Sequence, residues 1–210
     1  MSIDSQRQRV VSETRAAILS GAFKAGEALS ERALGEAAGM SRVPVREALI
    51  QLESCGLVQF INGRGAVVRT FGLNEIRDLY EVRESLESRA AALAAGHIDT
   101  SALEPLEYEL RALLAAKNPS AEKAQQVGSA LHDLVLVECR NALLKRLLTD
   151  IRDQIQLSRT ISYRKASRAQ VIQGVKEHLA LIRALRDGDG ERAGERMRVH
   201  IAAWRSVALA

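Results

Sequence analysis

The stretch Gly39-Met40-Ser41-Arg42-Val43-Pro44-Val45-Arg46-Glu47-Ala48-Leu49 constrains the fold more than any other part of the chain. A glycine able to end a helix in the left-handed conformation stands two residues before a serine suited to cap the next helix. Pro44 then falls in the first turn of that next helix, where its missing N–H costs nothing. The pattern predicts helix, tight turn, helix. Arg42 and Arg46 lie one turn apart and project from one side of the second helix near its N-terminus, beside a buried stripe of Val45, Leu49 and Leu52. A helix built this way can lie in a major groove with Ser41, Arg42 and Arg46 toward base edges and phosphates.

The flanking residues extend the pattern. Val10, Val11, Thr14, Ala17 and Ile18 recur at helical spacing from about Ser5 to Leu19, and Gly21 follows as a stop. Residues 22–28 read as a connector. Ser30 is placed to cap a short helix through Ala38 that buries Leu34 and Ala37. Past Leu57 the period changes to alternation, with Val58 and Phe60 before Asn62-Gly63-Arg64-Gly65 and Val67 after it. That predicts a β-hairpin closed by a tight Asn-Gly turn, both of whose central residues need positive φ. A hairpin directly after such a helix makes a winged helix-turn-helix, with Arg64 near the wing tip and in reach of DNA.

Thr70 to Leu73 reads as a boundary, after which Asn74 can cap a helix running to about Ala95. Leu79, Leu86 and Leu93 form one row of it, and Ile76, Arg83 and Ala90 form the row beside. Arg83 thus stands where an apolar side chain belongs. Either it snorkels out to pair with Glu87, or it is an inward guanidinium awaiting a carboxylate. Further helices are expected at about 101–116, 120–138, 141–162, 168–187 and 190–207. The chain is therefore expected to be mainly α: a winged helix-turn-helix over 1–70 and an antiparallel all-helical bundle over 73–210. A net charge of +4 permits a polyanionic partner, while an aromatic content of 3% argues against stacking single-stranded bases. Cys55 and Cys139 lack metal-type spacing and read as two reduced thiols. With no signal-peptide core and no apolar run of membrane length, a soluble cytoplasmic protein without a membrane partner is expected.

Of four histidines, three sit in the middle of helical stripes. Val171, Val175, His178, Ile182 and Leu185 step by four, three, four and three; Ala193, Met197, His200, Trp204 and Val207 repeat the pattern; and Gly128, His132, Val135 and Cys139 form another such row. One such imidazole is ordinarily a core residue. Three on separate helices, if the helices meet, could hold zinc, nickel or a similar divalent ion. His97, after Gly96, has no such placement and reads as surface.

The run Leu29-Ser30-Glu31-Arg32, Leu34-Gly35-Glu36, Ser41 to Leu49, Leu52-Glu53, Gly56-Leu57-Val58 and Gly63 resembles the N-terminal domain of GntR-type transcriptional regulators. The resemblance implies DNA contacts from Arg32, Arg42 and Arg46, and minor-groove entry by the wing at Asn62 and Gly63. Glu81-Val82-Arg83 with Leu86-Glu87, Leu131-His132 followed by Asn141, Glu177-His178 with Ala184-Leu185 and Gly188-Asp189, and Met197 to Ile201 resemble the effector-sensing FCD domain of the FadR-like subgroup. That implies a metal held by His132, His178 and His200, with Arg83 and Asn141 toward an effector. It also exposes a departure, because the aspartate that usually completes the site falls at Gly128. The metal-free alternative has the histidines and Arg83 bind an anion directly.

The function expected is operator binding to double-stranded DNA by a homodimer, modulated by a small carboxylic acid. A three-histidine metal hydrolase with an accessory helix-turn-helix domain is the rival, weakened by the lack of a nucleophile and base or a phosphate loop. An architectural DNA-binding protein whose bundle only dimerises is a third.

Overall fold

The computed structural model describes residues 3–210, with side chains from residue 5 onward. Its order is α1 (Ile3–Ser20), α2 (Glu31–Ala38), α3 (Arg42–Ser54), β1 (Val58–Ile61), β2 (Gly65–Val68), α4 (Leu73–Ala94), α5 (Thr100–Ala115), α6 (Ala121–Glu138), α7 (Ala142–Lys165), α8 (Arg168–Arg186) and α9 (Gly190–Leu209). The mainly helical class expected from periodicity is the one found. Two compact units make up the chain. One holds the residues up to Phe71 with Asp150–Thr160 from the middle of α7, and the other holds Gly72–Thr149 and Ile161–Ala210.

In the first unit, Ser30 Oγ accepts the Ala33 N–H at 3.2 Å and so caps α2. Gly39 ends that helix at φ 65°, in the left-handed region that costs an L side chain about 1–2 kcal/mol. Ser41 occupies the N-cap position of α3, but its side chain makes no capping bond, contrary to the expectation. Val45, Ala48, Leu49 and Leu52 of α3 are buried with Val10, Val11 and Ile18 of α1, and the two helices pack on one another.

The hairpin pairs Val58 with Val68 through Ile61 with Gly65, leaving three residues at the tip. Its turn is not the two-residue kind expected. The Arg64 N–H donates to the Ile61 carbonyl at 3.0 Å, and positive φ falls at Gly63 and Gly65 rather than at Asn62. Positive φ at the third residue is the demand of a type II turn, which glycine meets without strain. The connector also holds more order than its composition suggests. Ala28 bridges Val67, and Leu29 N–H donates to the Ala66 carbonyl at 2.8 Å, so it forms a short third rung beside the wing. The middle of α7 is tied to α1 by Asp153, which receives Arg15 Nε at 2.8 Å, and by Thr160 Oγ1, which donates to the Leu19 carbonyl at 2.9 Å.

In the second unit, α4 starts two residues earlier than expected. Its N-cap is Gly72, whose N–H donates to Glu75 Oε2 at 2.8 Å; Asn74 instead receives Arg77. The buried face of α4 is Ile76, Tyr80, Arg83, Glu87, Ala90, Ala91 and Ala94, while Leu79, Leu86 and Leu93 are only half-buried. The helix is therefore turned so that the row containing Arg83 faces inward. Side-chain oxygens cap the later helices, with Ser120 before α6, Asn141 before α7, Ser167 before α8 and Asp189 before α9. α9 packs along α4 and beside α8, and α6 touches both α4 and α8. No described helix is long and apolar enough to cross a membrane.

Candidate DNA interface and buried histidine site

All seven residues expected to meet DNA, Arg32, Ser41, Arg42, Arg46, Asn62, Gly63 and Arg64, are exposed. Burying Pro44, Val45, Ala48 and Leu49 turns Arg42 and Arg46 to solvent. Val43 shares that face with 68% exposure, and Ile50 with 50%, so the surface of α3 carries apolar side chains beside its arginines. Arg32 is held by Glu36 at 2.7 Å on α2. Arg64 reaches the Gly26 carbonyl at 3.4 Å, a long contact that an exposed guanidinium exchanges readily.

The second unit brings the three stripe histidines together. His132 of α6, His178 of α8 and His200 of α9 are all buried, and one ring nitrogen from each lies within 4.8 Å of the others. His132 Nε2 and His178 Nε2 are 3.4 Å apart. Two imidazole nitrogens on a tetrahedral zinc at about 2.05 Å stand about 3.3 Å apart, so this pair already has the separation such an ion requires. The rings of His178 and His200 have centroids 4.2 Å apart. The donor set is all nitrogen, which suits zinc or nickel better than manganese or magnesium.

Carboxylates surround these rings. Glu87 Oε2 contacts His132 Nδ1, and its Oε1 accepts Arg83 Nε at 2.9 Å. Glu177 Oε2 lies 2.9 Å from His200 Nδ1, and its Oε1 accepts Gln173 Nε2 at 3.0 Å. In both pairs the ring Nδ1–H donates and the carboxylate accepts, which leaves Nε2 as the nitrogen with a lone pair. Burial pushes the Glu177 carboxyl above its ordinary range, with the Gln173 hydrogen bond working the other way. Burial by itself would lower the pKa of Arg83, but the charge of Glu87, aided by Tyr80, more than offsets it and keeps the guanidinium protonated.

Arg83 combines the two readings left open by its sequence. It pairs with Glu87, yet it does so inside the protein at 1% exposure, with its guanidinium carbon 4.5 Å from the Tyr80 ring centre. Its Nη1 is buried with no hydrogen-bond partner. Asn141 stands apart from this group. It is exposed, and its side-chain oxygen caps α7 by accepting the Leu144 N–H at 3.0 Å.

Gly128 is where the chain departs most sharply from the pattern it resembles. A Cβ there would stand 2.4 Å from His178 Cε1 and 3.0 Å from its Nε2. The imidazole occupies the space an aspartate side chain would need. Sequence reasoning missed Glu177 and the second contact of Glu87. Glu177 adjoins His178 in the chain, but it serves His200 on a different helix, which no local spacing reveals. Trp204, one turn beyond His200, stacks on Tyr163 with ring centroids 4.0 Å apart and has its own ring 6.4 Å from that of His200.

Comparison with known proteins agrees with both units. The profile described as bacterial regulatory proteins, gntR family, matches residues 6–68, and the FCD domain profile matches residues 78–203. The HTH-type transcriptional regulator LutR of Bacillus subtilis is 29% identical over 204 residues, covering 88% of this chain and 92% of the relative. YdhC of the same organism, an HTH-type transcriptional regulator, is 28% identical over 185 residues, covering 87% and 82%. A GntR transcriptional regulator from Rhodococcus sp. RHA1 shares the fold with a TM-score of 0.80 at 22% identity over 98% of each chain. Escherichia coli McbR/YncC shares it at 0.77 and 20% identity, covering 96% of this chain and 94% of that one. The family profile and the two curated relatives are transcription regulators rather than enzymes, which removes the hydrolase reading. The chain belongs to the GntR family of bacterial transcription regulators, with an FCD domain following its helix-turn-helix domain.

Proposed function

We propose that this regulator binds operator DNA as a homodimer through Arg32, Ser41, Arg42, Arg46, Asn62, Gly63 and Arg64, and that a small carboxylic acid bound in the FCD domain modulates that binding. The observation that carries the reading is Arg83. A buried guanidinium with an unpartnered Nη1 has an unmet donor, worth about 1–3 kcal/mol, that a carboxylate oxygen would satisfy. Arg83 is tied through Glu87 to His132, so an acid bound there also bears on the histidine site. A single domain of this size reads one half-site. Two domains about 34–36 Å apart read successive major grooves, and this is the reason for a dimer.

His132, His178 and His200 would hold a divalent ion, zinc or nickel, which supplies a positive centre to which an acid's oxygens are drawn. The chain's own residues do the rest: the glutamates hold the rings, Arg83 offers a donor, and Trp204 and Tyr163 exclude water. The acid shifts operator affinity only if it binds the DNA-competent and released states unequally. Acting on DNA places the protein in the cytoplasm.

The test is selection of binding duplexes from a random pool with the full-length protein, followed by titration of the selected duplex with hydroxy and dicarboxylic acids, with and without added zinc. An acid that changes duplex affinity tenfold, and fails to do so after chelation, supports the reading. A selected duplex indifferent to every acid points to a bundle that only dimerises.

A further inference from the structure

The two carboxylates of the histidine site are not equivalent, and the difference bears on the residue missing at Gly128. Glu87 is shared between His132 and the buried guanidinium of Arg83, so its negative charge is matched by a positive one on the same helix. Glu177 is also shared, between His200 and the side chain of Gln173, but the amide of Gln173 is neutral. A divalent ion on three neutral imidazoles carries two uncompensated charges in a buried place. A ligating aspartate would remove one of them. Here the imidazole of His178 fills the space that its side chain would take.

We propose that Glu177, acting through His200, is the counter-charge of this metal site and takes over at one remove the role left vacant at Gly128. Glu87 acts differently. Anchored by Arg83, it fixes the ring of His132 and the nitrogen that carries the proton, while contributing little net charge. Both are positioning residues, since neither is placed to touch the ion. Carboxylates behind metal-bound imidazoles orient the ring and raise its basicity, and their removal typically costs 10–100-fold in metal affinity. The inequality of partners predicts an inequality of effect. Glu177→Gln keeps an oxygen to accept the His200 Nδ1–H, and its new NH2 can donate to the Gln173 amide oxygen once that exposed side chain turns over, so it removes the charge while keeping both hydrogen bonds.

The inference rests on the metal reading above, and the experiment separates the two. Zinc affinity of the full-length protein is measured by competition with a chelator of known affinity, alongside thermal melts of the metal-free form and the visible absorption of the cobalt-loaded form. Glu177→Gln is expected to lose about 10–100-fold in zinc affinity, and Glu87→Gln markedly less. The metal-free melt of Glu177→Gln should stay near wild type, and its cobalt bands should keep their tetrahedral intensity. Glu177→Asp should recover part of the loss, which a purely structural role would not produce. Gln173→Lys provides a second route if Glu177→Gln folds poorly. Residue 173 is exposed, and a lysine there cancels the charge of Glu177 without touching its bond to His200, so zinc affinity should fall twofold or more. Glu177→Gln within twofold of wild type, or a larger loss for Glu87→Gln, overturns the assignment while leaving the metal reading intact. A wild-type protein that takes up neither zinc nor cobalt overturns both.

Discussion

Replacing Gly128 by alanine sets two known effects against each other at one atom. Glycine inside a helix gives up about 1 kcal/mol of stability relative to alanine, so on propensity alone Gly128→Ala stabilises α6. The site opposes this. The new Cβ would lie 2.4 Å from His178 Cε1, more than 1 Å inside the roughly 3.5 Å at which two carbons rest in contact. A side-chain ring can usually step aside, but this one is 1% exposed. The His200 ring lies against it at 4.2 Å between centroids, and His132 Nε2 stands 3.4 Å from its own Nε2. Overpacking in such a place costs about 1–3 kcal/mol. Subtracting the helix gain leaves a net loss of about 1 kcal/mol, within a range from about zero to 2. Urea unfolding of the metal-free protein measures this directly, followed by circular dichroism against wild type. Zinc affinity is expected to fall with it, because the displaced ring is a metal ligand in the proposed site. Gly128→Asp should suffer the same displacement, so restoring the usual aspartate by itself should not strengthen the site. If Gly128→Ala is instead stabilised by about 1 kcal/mol with zinc affinity unchanged, the ring moves freely, and the argument from crowding is wrong.

Three other outcomes follow from the same geometry. Arg46→Ala, on the exposed face of α3, should weaken binding to a selected duplex by about 1–3 kcal/mol at fixed salt with the helix content unchanged; an unaltered gel shift would remove Arg46 from the interface. Arg83→Ala leaves Glu87 buried beside His132 without its cation and should destabilise the second unit by up to about 3–5 kcal/mol, so its effector response must be read below the temperature at which the variant melts; an unchanged unfolding midpoint would contradict the buried pair. Glu107, 16% exposed, is held below the usual carboxylate range by hydrogen bonds from Arg186 and then Arg111. A lowered folded-state pKa means the extra stability is present above the unfolded range and is lost as pH falls through the folded value. Glu107→Gln should therefore lose less stability than wild type between about pH 5 and pH 3, and parallel curves would show that the pair contributes nothing.

The helices were legible because a period of 3.6 and a capping residue are local signals, and Ser30, Ser120 and Ser167 each cap a helix near its expected start. Where local signals compete, the reading slipped. Asn74 and Gly72 are both acceptable N-caps, and the choice fell to Glu75, whose side chain reaches the Gly72 N–H. Asn-Gly suggested a two-residue turn, but the register set by Val58, Val67 and Val68 leaves three residues at the tip. In α4 the leucine row and the row of Ile76, Arg83 and Ala90 were read as one stripe, and the second row is the one fully buried. Hydrophobicity alone does not say which of two adjacent rows faces a polar cluster.

The histidine site shows where spacing stops being informative. Each imidazole could be placed on a buried stripe from its own helix, since that depends only on residues three and four apart. For two of the rings, which nitrogen faces the others depends on a carboxylate carried by a different helix: Glu87 of α4 for His132 and Glu177 of α8 for His200. The same holds for Arg83. Its pairing with Glu87 is an i to i+4 relation visible in the sequence, but in an exposed helix that pair would be worth only about 0.3–0.5 kcal/mol. Burial converts it from a minor surface contact into an internal ion pair beside the histidines, and burial is set by how four helices pack. That the second carboxylate has the neutral amide of Gln173 as its further partner is the basis for assigning it a different electrostatic role from the first. The two glutamates therefore look interchangeable in the sequence and are distinguished only by what the packing places behind them.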